Sequence, residues 1–155
     1  MDEMAGDERG APQVGTLLWW EDRERRMSRR RPRADGLTVE RIIAAALAVV
    51  DHEGLDTLTM RRLAEELSTA SASLYRHVSS RDELLVAVVD HVIGEVVLPA
   101  GELDGRQKVE WLAAELRRVL IAHPNLLAAL TASPLVEPNA RRGSERALDG
   151  LLEAG

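Results

Sequence analysis

Three hydrogen-bonding side chains stand in a row near the middle of the sequence: Tyr75, Arg76 and His77. They lie in the stretch LSTASASLYRHVSSRDELL, shortly after a run of small residues. A phenol, a guanidinium and an imidazole can all donate to phosphate oxygens, and such contacts fix the register of a protein on a duplex. Small side chains on a short helix also let its backbone approach the floor of a DNA groove. The stretch therefore predicts a DNA-recognition element.

The small residues are candidates for direct contact with bases. Serine hydroxyls can pair with base edges of either hydrogen-bonding type, which makes Ser71 and Ser73 suitable, while Ala72 between them leaves room for close approach. Arg61, further upstream, is the best single candidate for a bidentate guanine contact. Such a contact discriminates between bases by about 1 to 3 kcal/mol.

Each of these residues also has a plainer interpretation. Tyr75 could cover the edge of a core with its ring, and His77 could complement the dipole at the C-terminus of a helix. Arg61 and Arg62 could be solvated charges on an exposed helix face, as arginines are in most proteins. Only their position beside the candidate recognition element favours a role in binding.

Three predicted helices position the candidates. Thr38 is a plausible N-cap for a first, amphipathic helix that ends at Gly54. Thr59 caps a second helix over residues 60–67, and a third runs over residues 71–77. Helices of about seven residues are too short to be stable alone, so the short pair must pack on the first helix. This is the helix-turn-helix arrangement, in which the second helix of the pair enters the major groove.

The second half of the chain predicts further helices. Ser80 and Glu83 form a capping-box pattern at the start of an apolar helix. Arg81 in its first turn opposes the helix dipole, which an anchoring contact to a phosphate would explain. Later helices are predicted over residues 106–122 and 139–152. The apolar stripe of the 106–122 helix, predicted to face inward, is Val109, Leu112, Ala113, Leu116, Val119 and Leu120.

Composition favours an all-α protein of one or two domains. The 155 residues are 45% hydrophobic, carried mainly by Ala, Leu and Val, and Phe is absent. The absence of Cys excludes disulfides, thiolate metal sites and cysteine nucleophiles from this sequence. No apolar run reaches the length of about 20 residues that a membrane span needs. We therefore expect a soluble, cytoplasmic protein without a membrane partner.

Basic residues are concentrated near the N-terminus, although the net charge is −6. Seven Arg and one acid, Glu24, occupy residues 23–33. Residues 1–36 are therefore predicted to be a disordered arm, first acidic and then Arg-rich, that tracks phosphates. A disordered, solubilising tail is the alternative. The candidates for minor-groove or phosphate contact in the arm are Arg29, Arg30, Arg31 and Arg33.

Residues 37–85 resemble the DNA-binding domain of the tetracycline-repressor (TetR) family of bacterial transcription regulators. The resemblance rests on the runs EGLDTLTMRRLAEEL, SLYRHV and RDELL in this order, after a capped first helix. The upstream LLWWEDRERR is similar to the Trp-containing arm of a subgroup in this family. Ser68 departs from the family pattern, which usually has Gly in this turn because the turn tends to need a positive φ. We therefore expect a turn at Ser68 that is either more strained or slightly reshaped.

The resemblance implies roles for individual residues. Thr59 and Arg61 would contact the DNA backbone and a base, while Ser71 and Ser73 would face the groove. The residues implied to hold phosphates are Tyr75, His77 and Arg81, with Arg76 beside them in the recognition segment.

The resemblance also implies a domain organisation and partners. A helix-turn-helix domain would occupy residues 37–98, followed over residues 99–155 by part of a helical domain that binds a ligand and forms a dimer. The implied function is a ligand-responsive repressor that binds a pseudo-palindromic DNA operator as a homodimer, associated with the nucleoid. The small-molecule effector is unknown from the sequence, with Trp111 and His123 as weak pocket candidates.

The family's C-terminal helices extend beyond the equivalent of Gly155, so we expect a truncated regulatory domain. The competing interpretation is a helical interaction module that pairs with a full-length regulator and does not itself bind DNA tightly. An enzyme is disfavoured, because the four His lie on separate elements and no phosphate-binding glycine loop or nucleophile elbow occurs. No cofactor or metal is expected.

Overall fold

The computed structural model describes residues 12–28, 36–99, 103–132, 138–139, 141–142 and 145. The elements in these residues are helical, which confirms the predicted all-α fold. The α-helices are α1 (Leu17–Ser28), α2 (Val39–Glu53), α3 (Met60–Glu66), α4 (Ser71–Leu74), α5 (Arg81–Ile93), α6 (Gly105–Ala122) and α7 (Leu127–Ala132). Short 3-10 turns occur at Leu55–Thr57 and Pro124–Leu126.

Helix α2 begins and ends where the sequence predicts. The Thr38 side chain accepts a hydrogen bond from the amide of Arg41 at 3.2 Å, as an N-cap does. At the other end, Gly54 has a φ of 96° and donates its N–H to the carbonyl of Val50. Glycine adopts this backbone conformation without the steric cost that a side chain would add. The buried face is Val39, Ile42, Ala46, Val49 and Val50.

Helix α3 ends in a left-handed residue that is not glycine. Ser68 has a φ of 50°, which confirms the strained turn expected from the sequence. The amide of Ser68 donates to the carbonyl of Glu65 at 3.1 Å, and that of Thr69 donates to the carbonyl of Ala64 at 2.9 Å. This pair of hydrogen bonds is a Schellman motif with Ser68 at its left-handed position. The turn that separates α3 from α4 is therefore well bonded but sterically costly.

We expect the substitution Ser68→Gly to raise the free energy of unfolding by about 0.5 to 1 kcal/mol. Glycine removes the steric cost of the left-handed conformation, and the greater conformational entropy of glycine in the unfolded chain offsets part of this stabilisation. Urea denaturation followed by circular dichroism measures the change. Ser68→Ala is the matched control, since it keeps the β-carbon and should give no increase. An equal gain from both variants would show that the side-chain hydroxyl, rather than the backbone, is responsible.

Helix α4 is shorter than predicted. Its α-helical residues are Ser71–Leu74, and residues 75–77 form a turn rather than helix. The chain tightens because the amide of His77 donates to the carbonyl of Leu74 at 2.8 Å, only three residues back. Leu74 and Val78 are 0% and 1% exposed, so the core fixes both ends of this turn.

Helix α5 is capped almost as predicted. The Ser80 hydroxyl accepts from the amide of Glu83 at 3.1 Å. The Glu83 carboxylate accepts from the amide of Ser79 at 2.9 Å, one residue before the predicted partner. The cap therefore also holds the chain that leaves the α4 turn. The buried residues of α5 are Glu83, Leu84, Ala87, Val88, Val89 and Val92.

One core joins the helix-turn-helix to the helices that follow it. The buried cluster contains residues of α2, α3, α4 and α5 together with Val119, Leu126 and Leu130. Polar contacts reinforce the junction at the C-terminus of α2. The side-chain Nδ2 of Asn125 donates to the carbonyl of Val50 at 2.9 Å. A movement of the segment around Asn125 would therefore displace the C-terminal end of α2.

Helix α6 has the predicted cap but not the predicted buried stripe. Asp104 and Gln107 form a reciprocal capping box. Val109 and Leu116 are 47% and 40% exposed, and only the C-terminal end of the stripe, around the buried Val119, reaches the core. The inward prediction is wrong for Val109, Ala113 and Leu116, which are exposed because no described element covers them, whereas Leu112 is half-buried. Within the described residues, no helix has the length and apolar character to cross a membrane.

Residues 17–28 form a helix, where the sequence indicated disorder over residues 1–36. The prediction is wrong for α1, because Trp19 and Trp20 are each only 4% exposed. Burial of these two large side chains stabilises the helix and offsets the conformational entropy lost when the segment becomes ordered. Residues 1–11 and 29–35 lie outside the described residues, as does most of the predicted helix over residues 139–152. Asn139 is described, and its amide donates to Asp90 on α5 at 2.8 Å.

Candidate nucleic-acid interface

The α4 segment exposes its polar side chains while its apolar ones anchor it. Leu74 and Val78 are buried, whereas Tyr75 is 52% exposed. The plain alternative for Tyr75, a ring that covers the core, therefore accounts for at most half of its surface. Because about half of the side chain is exposed, its hydroxyl is available as a hydrogen-bond donor to a ligand.

The remaining candidates of the recognition segment lie in the same turn. Ala72 and Arg76 are exposed, and Ser71, Ser73 and His77 are partly buried. Arg76 donates from Nη2 to the Ser73 hydroxyl oxygen at 3.1 Å. This contact presents a hydroxyl and a guanidinium side by side. The residues predicted from the sequence to contact DNA in this segment therefore lie together on α4 and the turn that follows it.

Thr59 and Arg61 lie at the start of α3, the helix that precedes the recognition segment. The Thr59 oxygen accepts from the amide of Arg62 at 3.0 Å, so its O–H remains available to donate. The Arg61 side chain is 88% exposed and pairs with Glu65 at 3.1 Å, one helical turn away. Exposed pairs of this kind contribute little. Glu65 therefore does not prevent the guanidinium from reaching a ligand.

Arg62, beside it, is engaged within the protein. Its Nε donates to both carboxylate oxygens of Glu53 at 3.1 Å, and Nη2 donates to Glu66 at 2.8 Å. The hydrogen bonds from Arg62 lower the pKa of Glu53 below its usual value, and those to Glu53 and Glu66 raise the pKa of Arg62. Arg62 thus joins α3 to the end of α2, and Arg61 is the more available of the two arginines.

Arg81, the phosphate anchor predicted from the sequence, donates to backbone carbonyls of the protein. Its Nε donates to the carbonyl of Leu58 at 2.6 Å, and its Nη2 donates to the carbonyl of Leu55 at 3.1 Å. The side chain therefore ties the 3-10 turn before α3 to the first turn of α5. These carbonyls explain an arginine at this end of the helix without a phosphate.

Trp111 and His123, the two weak candidates for a ligand pocket, both make polar contacts within the protein. The Nδ1 of His123 lies 2.8 Å from Asp51 and its Nε2 lies 3.3 Å from Glu95, which places the ring between α2 and the end of α5. Trp111 is 45% exposed and donates from its indole nitrogen to the carbonyl of Val97. Among the described residues, no group of three His, Asp or Glu is placed to hold a metal ion.

Sequence reasoning missed Arg23 and Glu83 as a buried pair. Arg23 Nε lies 3.4 Å from a Glu83 oxygen, with side chains only 11% and 7% exposed. The signal was present, because Trp19 and Trp20 precede Arg23 by four and three residues, the spacing of neighbours on a helix. The arm candidates at positions 29, 30, 31 and 33 lie outside the described residues.

Comparisons with known proteins agree with this geometry. Residues 42–88 match the family model for bacterial regulatory proteins of the tetR family. The chain is 40% identical over 141 residues to the HTH-type transcriptional repressor DrrR1 of Streptomyces coeruleorubidus, a match that covers 90% of this chain and 51% of DrrR1. The chain spans between half and three fifths of the length of the first curated relatives that it matches.

Solved structures give the same result. The TetR family protein ActR of Streptomyces coelicolor, in complex with actinorhodin, superposes with a TM-score of 0.69 at 44% identity over 78% of this chain and 57% of ActR. BioQ with its natural double-stranded DNA operator superposes with a TM-score of 0.60 at 31% identity over 74% of this chain and 70% of BioQ. This protein belongs to the tetR family of bacterial regulatory proteins.

Proposed function

We propose that this chain is a DNA-binding transcriptional repressor that inserts α4 into the major groove of an operator. The observation that carries the proposal is the division of the α4 segment into an anchored and an open side. Leu74 and Val78 fix it to the core, while Tyr75 and Ala72 are exposed. The segment lies within the residues that match the tetR family model.

The available donors divide into two groups by what they would contact. Arg61 has an exposed guanidinium suited to guanine, and Ser71 and Ser73 have hydroxyls suited to base edges. Tyr75 and Thr59 have single O–H donors, which suit phosphate oxygens that fix register. Phosphate contacts would also come from His77, Arg76 and the Arg-rich residues 29–33. Arg81 would add less to this group, because its Nε and Nη2 already donate to backbone carbonyls.

The operator would be pseudo-palindromic and bound by two copies of the protein. In a dimer, two α4 segments about 34 to 36 Å apart would reach successive major grooves on one side of the duplex. DrrR1 is named a repressor, and BioQ is solved on its operator, which supports repression through DNA binding. Such a protein would act in the cytoplasm, at the nucleoid.

A small-molecule effector would control that spacing. ActR is solved with actinorhodin, which supports a ligand site in the helices after the helix-turn-helix. A ligand can shift the equilibrium only by its difference in affinity for the two arrangements, commonly about 1 to 3 kcal/mol. The shared core and the Asn125 contact to α2 give such a shift a direct route to the helix-turn-helix.

Fluorescence anisotropy tests the proposal. The purified chain would be titrated into labelled duplexes of about 30 base pairs, enough for two half-sites one helical turn apart. The duplexes tile the DNA immediately upstream of its own coding sequence, and shuffled duplexes of equal composition serve as controls. We expect one tile to bind at least about tenfold more tightly than its shuffled form. Equal affinity for all tiles and shuffled controls would contradict the proposal.

We expect Tyr75→Phe to weaken binding about fivefold on every duplex, since one hydrogen bond to phosphate, worth about 1 kcal/mol, is lost without any base contact. The removed group is an exposed neutral hydroxyl, so the unfolding midpoint and the salt dependence should stay unchanged. A loss confined to the best-bound tile would instead assign Tyr75 to base recognition.

A further inference from the structure

Helix α1 brings a buried cation against the start of α5. The guanidinium carbon of Arg23 lies 5.8 Å from the Trp19 ring centroid and 5.3 Å from that of Trp20. The two rings meet edge to face at 4.8 Å. A cation this close to two indole rings is held by their electron-rich faces. Contacts with the two tryptophan rings therefore hold the Arg23 guanidinium in place.

Glu83 supplies the carboxylate that lies within ion-pair distance of the buried cation. Arg23 Nε lies 3.4 Å from one Glu83 oxygen. Its Nε and Nη2 have no hydrogen-bond partner in the part of the chain that the structure describes. Attraction to Glu83 and to the rings, together with the nearby carboxylates of Glu40 and Asp90, compensates for burying this charge. Buried charges require such compensation, and removal of one partner leaves the other at high cost.

Glu83 transmits this contact to the recognition segment. Its second oxygen accepts from the amide of Ser79 at 2.9 Å, in the short link between the α4 turn and α5. Val78, directly before Ser79, is the buried residue that anchors the turn. The sequence of contacts therefore runs from the tryptophans through Arg23 and Glu83 to the backbone of the link.

We infer that Arg23 is a positioning residue for DNA recognition, which acts through Glu83 to hold the backbone at Ser79. This inference rests on the proposed function, because it makes operator binding depend on α1. Helix α1 lies outside residues 42–88, the segment that matches the family model. The DNA-binding unit of this protein is accordingly larger than the helix-turn-helix.

Amide hydrogen exchange by NMR on the full chain tests the inference. In Arg23→Met, we expect exchange at Ser79 to accelerate about tenfold, the equivalent of about 1.4 kcal/mol of lost coupling, while core amides such as Val50 and Val92 stay within about twofold. Arg25→Met is the matched control on the same helix, since Arg25 is exposed and its Nε donates to the carbonyl of Glu21, within α1. It should leave Ser79 unchanged.

A double variant identifies the route of the effect. Gln at position 83 keeps an oxygen for the Ser79 amide and loses the charge, so Arg23→Met should add little to Glu83→Gln. Equal acceleration in both backgrounds, or none in either, would overturn the inference. Uniform acceleration of all amides would also overturn it, because that reports global destabilisation.

The DNA readout separates positioning from contact. For the best-bound duplex, Arg23→Met should weaken binding about tenfold without a change in the slope of log affinity against log salt, because no phosphate contact is lost. A slope smaller by about one would show a direct phosphate contact and overturn the positioning role. A wild-type chain that binds no duplex would contradict the proposed function, while the exchange at Ser79 would still decide the role of Arg23.

Discussion

Arg61→Ala is expected to relax the preference for one base pair of the operator by about 1 to 3 kcal/mol, or roughly 5- to 150-fold. The side chain is 88% exposed and has one weak partner, Glu65, so its fork can reach a guanine without breaking an internal network. Affinities for a set of duplexes with each operator position substituted in turn measure the effect. Wild type should discriminate at the contacted pair, and the variant should not.

Arg62→Ala is the matched control for Arg61. Arg62 is engaged with Glu53 and Glu66, so its loss should lower stability without altering base preference. If Arg61→Ala instead weakened all duplexes equally and reduced the salt slope by about one, Arg61 would be a phosphate contact. If Arg62→Ala alone changed base preference, the assignment of the two arginines would be reversed.

Leu74→Ala should cost about 2 to 5 kcal/mol in the free energy of unfolding. Leu74 is 0% exposed and is the one buried residue of α4, so the substitution removes the contact that seats this element on the core. Denaturant unfolding measures the loss. At a temperature where the variant is still folded, operator affinity should fall as well, because the segment is no longer fixed.

Ala72→Gly is the comparison for Leu74. It alters the same short helix at an exposed position, where glycine costs about 1 kcal/mol at most. A loss of similar size in both variants would show that α4 depends on intrinsic helix propensity. The account requires a much larger loss at Leu74, since tertiary packing holds an element this short.

The sequence sufficed for elements whose signals are local. Thr38, Thr59 and Ser80 cap helices where predicted. A hydroxyl directly before an apolar repeat is a strong signal, because it accepts a hydrogen bond from a backbone N–H of the first turn that has no partner within the helix. Ser68 was placed in a left-handed turn from the resemblance alone, and its φ of 50° confirms this. The short helix predicted over residues 71–77 also begins where expected, although it ends at Leu74, earlier than its spacing suggested.

The remaining features depend on contacts between distant residues. The contacts of Arg81 with the carbonyls of Leu55 and Leu58, more than 20 positions away, could not be predicted from the sequence, because they form only on folding. The charged residues of α1 dominate its local composition and indicate disorder, whereas Trp19 and Trp20 determine its structure by burial. Periodicity alone likewise did not show which half of α6 is covered.

The central claim is that the α4 segment is the part of this chain that contacts DNA. Its most direct test is the change in backbone amide NMR shifts when the labelled chain is saturated with the best-bound duplex. We expect the largest changes at Thr59, Arg61 and residues 71–77, with little change along the exposed face of α6 around Val109. Binding that shifts the α6 face and leaves residues 71–77 unchanged would contradict the account.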